Sequence, residues 1–562
     1  MSRAARTLLA FGAAAAALAG IPATLALGNG PAAPATAPAT APATAPATAS
    51  SRIVGMRRLT EAQYRATIAD VFGPDIKVAG RFEPIVRPAH ELIASGARDA
   101  ALSPAGLEQF DAMARGIAAQ VFDAGHRAQF VPCVTPDDAC ARATLAPLGR
   151  LLWRRPMTAM ELDAHVRMAG AAAKAAGSFD KGLELALAAM LVNPQFLYVV
   201  ETAVPDASGA LVLDDHARAS RLSFTLWNTT PSEALLRAAD AGDLRDPAKL
   251  QAIVRKMVDS PRFEAGVRAF FADMLLFERF DALSKDPLLF PYFNSAVAQA
   301  MPEQMLRTVT DHLLVRNGDY RQLFLTNRTF MTRALGGLYQ VPVHKASGWE
   351  PYEFAPGDDR AGLLGQAGFL AMYSQTGRSS PTLRGRAVRE LLLCQPVPDP
   401  PGNVNFTAVQ DTANKAMPTA RVRLTAHMTD ENCSGCHKLT DPVGLGLERF
   451  DGIGSWRTTE NGAAIDPAGK LDKLEFTGAS GLGKLIAASE DAPICAASRA
   501  LEYVRGRPSD DSGALVEALV KAFADDGYGI RGLFLKAMTA PDAWRVEEKP
   551  LQANTHVSLL VR

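Results

Sequence analysis

Residues 433–437 read Cys-Ser-Gly-Cys-His. No other stretch constrains the chain so tightly, because it commits two thiols and an imidazole within five residues to one chemical task. The chain holds 6 Cys and 9 His in 562 residues, a composition that yields about 0.001 such runs by chance. C-x-x-C-H is the attachment pattern of c-type haem. The thiols add across the porphyrin vinyl groups, and the neighbouring histidine becomes an axial ligand of the iron. Cys433 and Cys436 are therefore the expected anchors of one covalent haem c, with His437 the expected proximal ligand. Zinc is the chemical rival, because C-x-x-C is half of a tetrahedral site. No second C-x-x-C and no H-x-x-x-H occurs to complete one. A plain dithiol is the remaining alternative.

The distal face of the iron is less constrained. His427, ten residues before His437, is the first candidate ligand. Met417 and Met428 lie nearby, and Met538 is the only methionine after the motif. An open or water-bound site is the other outcome. A protein ligand favours electron transfer, and an open face favours catalysis. His344, alone in an irregular stretch, is expected to be solvated.

The amino terminus points to the same compartment as the motif. Arg3 and Arg6 precede the apolar run Leu8–Leu18 and small residues, the pattern of an export signal. Covalent haem c is attached outside the bacterial cytoplasm, so a periplasmic or cell-surface location is expected. Pro34–Thr48 repeats Pro-Ala-Thr-Ala, an extended solvated spacer that could associate loosely with a membrane or wall. In an oxidising compartment the other cysteines are expected to pair, Cys133 with Cys140 and Cys394 with Cys495. Lys and Arg number 59 and Asp and Glu 59, a balance that argues against nucleic acid as a partner. It leaves a redox partner of unspecified identity.

The rest reads as mainly α. Thr60-x-x-Gln63 and Thr158-x-x-Glu161 are capping boxes, the first opening a helix through Tyr64, Ile68 and Phe72. Helices are expected at 159–175, at 181–192 with apolar residues nearly all round, three or four times between 214 and 280, and from 303 to 315. Leu250, Ile253, Val254, Met257 and Val258, then Phe263, Val267, Phe270, Phe271 and Met274, mark core faces. Short β excursions are expected near the carboxy terminus, at 463–478. The glycines after the motif, from Gly444 to Gly454, are expected to let backbone approach a flat cofactor, with Phe450 or Trp456 packing on it or in the core. The divisions are a signal peptide 1–28, a Pro/Ala/Thr linker 29–52, an N-terminal helical module 53–130 and a helical module with an Arg-Arg-Pro motif 131–205. A central helical module 206–330, a loop-rich and helical module 331–405, a haem c-like segment 406–480 and a C-terminal helical module 481–562 complete the chain.

Several motifs occur in a family order. Arg58-Leu59-Thr60 with Tyr64 comes first, then Trp153-Arg154-Arg155-Pro156-Met157-Thr158. Leu222-Ser223-Phe224-x-Leu226-Trp227 follows, then Arg360-x-Gly362-Leu363-Leu364 with Ser380-Pro381 and Arg384-Gly385. Cys433–His437 with Asp441-Pro442-x-Gly444 and Glu448-x-Phe450-Asp451 precede Tyr503 with Gly506-Arg507. Together they resemble the planctomycete-type cytochrome c-like multi-domain family of exported bacterial proteins. The resemblance implies an exported, mostly helical, haem-bearing chain, and it implies no particular reaction. Many relatives carry Met two residues after the motif histidine, where this chain has Leu439. Three functions follow: an electron-transferring cytochrome, a peroxidase- or oxidase-like haem oxidoreductase, or a non-haem surface binding protein.

Overall fold

The computed structural model of the chain describes residues 51–360, 362–399, 416–427, 431–508 and 513–546, and of residues 426, 427 and 431–433 it describes the backbone alone. The expected signal peptide and nearly all of the linker lie outside these residues. The first element is a strand, β1 (Arg52–Arg58). The Thr60 hydroxyl then accepts from the Gln63 N–H, the Gln63 side chain accepts from the Thr60 N–H, and α1 (Glu61–Phe72) begins. Tyr64, Ile68 and Phe72 share its buried face.

α2 (Pro104–Val121), α3 (Asp138–Trp153), α4 (Ala159–Ala176) and α5 (Phe179–Val192) form the next layer. α5 lies between α2 and α4, which explains why it is apolar on most sides. Gly182 allows the close approach to α4: a Cβ there would stand 2.3 Å from the Ala169 carbonyl oxygen. Thr158 and Glu161 form the second capping box. The Cys133–Cys140 disulfide staples the start of α3.

Short strands also occur before the carboxy-terminal region. β1, β2 (Tyr198–Pro205) and β3 (Leu211–Leu213) form an antiparallel sheet, with Arg58 opposite Tyr198 and Ala203 opposite Leu213. β1 carries three arginines in seven residues and has no clean alternation. It is a strand because a partner almost 150 residues away in the chain supplies its hydrogen bonds, a choice no local pattern encodes. β2 does alternate buried and half-buried side chains.

The central region holds four helices: α6 (Asp215–Leu226), α7 (Glu233–Asp240), α8 (Pro247–Asp259) and α9 (Phe263–Met274). The expected faces of α8 and α9 are core, and Phe270 meets Phe534 and Tyr503 edge to face. α10 (Ser295–Thr310) begins earlier than expected, capped by Asn294, and carries Pro302 inside. Later come α11 (Pro381–Ala387), α12 (Ala420–His427), α13 (Glu431–Leu445), α14 (Asp491–Arg505), α15 (Gly513–Asp525) and α16 (Ile530–Thr539). The expected hairpin near residue 470 pairs Ala468–Leu471 with Leu474–Thr477. One apolar core runs from α6 through Val443 and Leu447 to Met538 and Trp544. The Cys394–Cys495 disulfide ties α14 to the segment after α11.

Candidate functional site

α13 carries the whole Cys-Ser-Gly-Cys-His run. Positions 433, 436 and 437 stand in an i, i+3, i+4 relation, so the helix places all three on one side. The glycine-rich segment expected from Gly444 begins inside the helix, because α13 continues to Leu445 with Pro442 inside it. Packing against α11 sustains the helix through the proline. A Cβ on Gly385 would stand 1.9 Å from the Thr440 carbonyl oxygen, and one on Gly444 would stand 1.8 Å from that of Pro381. Two glycines, one on each helix, thus permit backbone-to-backbone contact.

His437 points its Nδ1 at Oδ2 of Asp441, 2.7 Å away. The two are four residues apart, one helical turn. Asp441 is fully buried. Its Oδ1 accepts from the Thr382 hydroxyl on α11 at 2.7 Å and from the Thr440 hydroxyl at 3.3 Å. The carboxylate is therefore fixed from both helices, and it fixes the imidazole. A carboxylate accepts, so Nδ1 carries the hydrogen and Nε2 is the nitrogen suited to a metal. Cys436 is half-buried, its Sγ 3.3 Å from the Pro398 carbonyl oxygen in the proline-rich stretch. Arg389, buried after α11, donates to the Leu439 carbonyl at 2.6 Å and to Asp472 at 2.8 Å.

Beneath α13 lies a second polar clamp. Arg384 is fully buried and donates to the carbonyls of Leu447 at 3.0 Å and Phe450 at 2.7 Å. Glu448 accepts from Ser379 and from Arg457, both at 2.8 Å. Burial pushes the Glu448 carboxyl up, against the pull of Arg457 and Arg384. Ser379, Arg384 and Gly385 thus hold the motif helix and the loop behind it.

The glycines after the motif do not wait for a flat cofactor, and that expectation is corrected. Gly446 faces the Phe476 ring, Gly452 the Phe290 ring and Gly454 the Ala367 backbone. The chain's own segments occupy the space a Cβ would need. Phe450 is fully buried core under Arg360, and Trp456, 41% exposed, meets it edge to face. A cavity of about 400 Å³ opens beside Pro442, lined by Arg421, Lys470, Glu475 and Phe476.

The distal candidates separate. Met538 is fully buried among the closing helices, where it packs in the core. Met417 is half-buried two residues before the cap of α12. His427 closes α12, its side chain lying outside the described residues, as Met428 does entirely. The Cys433 side chain lies outside them too. His344 is exposed beside Glu350. Among the described residues no three His, Cys, Asp or Glu side chains gather as a metal cluster, and no helix is long and apolar enough to cross a membrane.

In the sequence Asp441 stands within a family motif that implies no role for it. The i, i+4 spacing to His437 on one helix was the available signal. Thr382 had none, because it meets the site only through tertiary packing.

A mainly α chain built of successive modules, with a C-x-x-C-H helix near its end, defines a multi-module protein of the cytochrome c-like class. Four family models match it: PSD3, a protein of unknown function (DUF1587), over residues 57–123; PSD5, a protein of unknown function (DUF1595), over 140–201; PSD4, a protein of unknown function (DUF1592), over 213–341; and PSCyt3, a protein of unknown function (DUF1588), over 360–460. The chain belongs to the planctomycete-type cytochrome c-like multi-domain family. No curated protein and no solved structure matches it.

Proposed function

We propose that the chain is an exported c-type cytochrome carrying one covalent haem c on Cys433, Cys436 and His437, and that it exchanges electrons with a redox partner. The observation that carries this reading is the His437–Asp441 pair. Histidines that bind metals characteristically give their second ring N–H to a carboxylate or carbonyl, which sets tautomer, orientation and basicity. An isolated solvated histidine would not need a fully buried carboxylate held from two helices. The donor set fits the group: two thiol positions and an imidazole on one helical side.

Haem, when bound, supplies a one-electron iron couple. The chain's residues do the rest. Cys433 and Cys436 anchor it, and Asp441 directs Nε2 of His437 toward the metal. Thr382 and Thr440 keep Asp441 in place, while Gly385 and Gly444 keep α13 against α11. The export signal and the proline-rich spacer support a periplasmic or cell-surface setting, with loose membrane or wall association. The charge balance supports a partner other than nucleic acid.

A second reading is a haem-dependent oxidoreductase with an open distal face. Burial of Met538, the only methionine after the motif, favours it. One experiment separates the readings. Protein made with a haem-attachment system is extracted with acid–acetone and assayed as the pyridine haemochrome. Retained haem with a low-spin ferric spectrum supports electron transfer, and retained haem with a high-spin spectrum supports the oxidoreductase. Haem lost on extraction, with loaded controls, overturns both and leaves a surface binding protein.

A further inference from the structure

A cavity of about 200 Å³ lies where four separate parts of the chain meet. β1 and the start of α1 supply Arg57 and Thr60, α6 supplies Phe224, α9 supplies Ala272 and Asp273, and α14 supplies Tyr503. These parts span almost the whole described chain, and the cavity includes none of the residues of the candidate site on α13. Its walls are largely apolar, yet a buried charge borders it.

That charge is Arg57, only 8% exposed. It shares a single carboxylate, the fully buried Glu201, with two competitors. Arg221 takes Oε1 at 2.6 Å and Arg98 takes Oε2 at 2.9 Å. Arg57 is left 3.5 Å from Oε1, and its Nε and one terminal nitrogen are buried with no hydrogen-bond partner. Three guanidiniums against one carboxylate leave positive charge uncompensated, and a buried donor without a partner costs about 1–3 kcal/mol. The two acids at the cavity do not help. Asp273 accepts from the N–H groups of Ile93 and Ala94 and pairs with Arg87, and Glu278 also pairs with Arg87.

We propose that this cavity binds a small organic monocarboxylate, with its apolar body against the Phe224 wall and its carboxylate paired with Arg57. A cavity of this order accepts a single aromatic ring, so benzoate is a suitable probe. The inference does not depend on haem, because neither the cavity nor Arg57 touches α13.

Isothermal titration of the full chain with benzoate, and with neutral benzyl alcohol, tests it. Saturable benzoate binding, at least tenfold tighter than benzyl alcohol, is expected. Arg57→Met should weaken benzoate at least tenfold and leave benzyl alcohol nearly unchanged. Should circular dichroism find R57M unfolded, Ala272→Leu decides, since it fills the cavity from α9 and leaves the arginine cluster alone. A272L should fold and abolish binding of both probes. No saturable benzoate binding at millimolar concentration, equal affinity for the two probes, or benzoate binding retained by folded A272L would each overturn the proposal.

Discussion

His437 and Asp441 are joined across one helical turn, with the imidazole Nδ1 2.7 Å from a carboxylate oxygen that water does not reach. On the proposed haem reading, a buried negative charge behind His437 would make the imidazole a more electron-rich ligand, which favours ferric iron. Asp441→Asn keeps an oxygen acceptor of the same shape and removes the charge. The midpoint potential of the haem-loaded variant should therefore rise. Each 1.4 kcal/mol of lost ferric stabilisation is worth about 59 mV in a one-electron couple, so a shift on the order of 60 mV is expected. Potentiometric titration reads it, and an unchanged potential would remove Asp441 from any tuning role.

Contact between α11 and α13 depends on two missing side chains. Gly385→Ala and Gly444→Ala each drive a methyl group into a carbonyl oxygen closer than 2 Å. Each should cost roughly 1–3 kcal/mol or more and lower haem attachment by displacing the motif helix. Gly435→Ala is the control, since a Cβ there meets nothing within 4 Å. It should be neutral or stabilising by up to about 1 kcal/mol. Thermal unfolding of the three variants checks the order, and equal losses at all three positions would contradict it.

The two disulfides close loops of very different size, with sequence separations of 7 and 101 residues. Loop-closure entropy grows with length, to about 4.7 kcal/mol for a loop near 100 residues. Replacing Cys394 and Cys495 with Ser should destabilise more than replacing Cys133 and Cys140. Urea unfolding midpoints of the two double variants give the comparison, and the reverse order would locate their role in native packing instead.

Glu201 should mark the acid limb of stability. Burial pushes its carboxyl up, but Arg221, Arg57 and Arg98 outweigh burial and hold it at about 2, below its ordinary 4.5. The folded state thus binds the proton more weakly than the unfolded chain does. Its contribution, roughly 3 kcal/mol by linkage, is fully present above about pH 4.5 and is lost as pH falls toward 2. Glu201→Gln should cost about 3–5 kcal/mol near neutrality, because it strands three guanidiniums, and should flatten the stability profile between pH 4.5 and 2. Denaturant unfolding across that range is the measurement. A wild-type slope retained in the variant would assign the acid limb to other carboxylates.

Helices were legible wherever the determinants are local. The Thr60 and Thr158 caps, the stripe from Phe263 to Met274 and the apolar α5 all depend on neighbours within a turn or two. So does the C-x-x-C-H run, whose chemistry is carried by five consecutive residues, and the i, i+4 step from His437 to Asp441 was open to the same reasoning. Both disulfide pairings followed from compartment and number.

What remained hidden depends on segments far apart in sequence. β1 is a strand because β2 hydrogen-bonds to it, Thr382 reaches Asp441 because Gly385 and Gly444 admit backbone contact, and Arg57 is short of a partner because Arg98 and Arg221 arrive at Glu201 first. The glycines from Gly444 to Gly454 show the difference most plainly. Their sequence says that something comes close, and only packing decides that Pro381, Phe476, Phe290 and Ala367 are what come. Local backbone and side-chain preferences are short-ranged and can be read along the chain. Burial, close approach and competition for one buried charge are properties of the folded volume, so they exist only once distant segments share it.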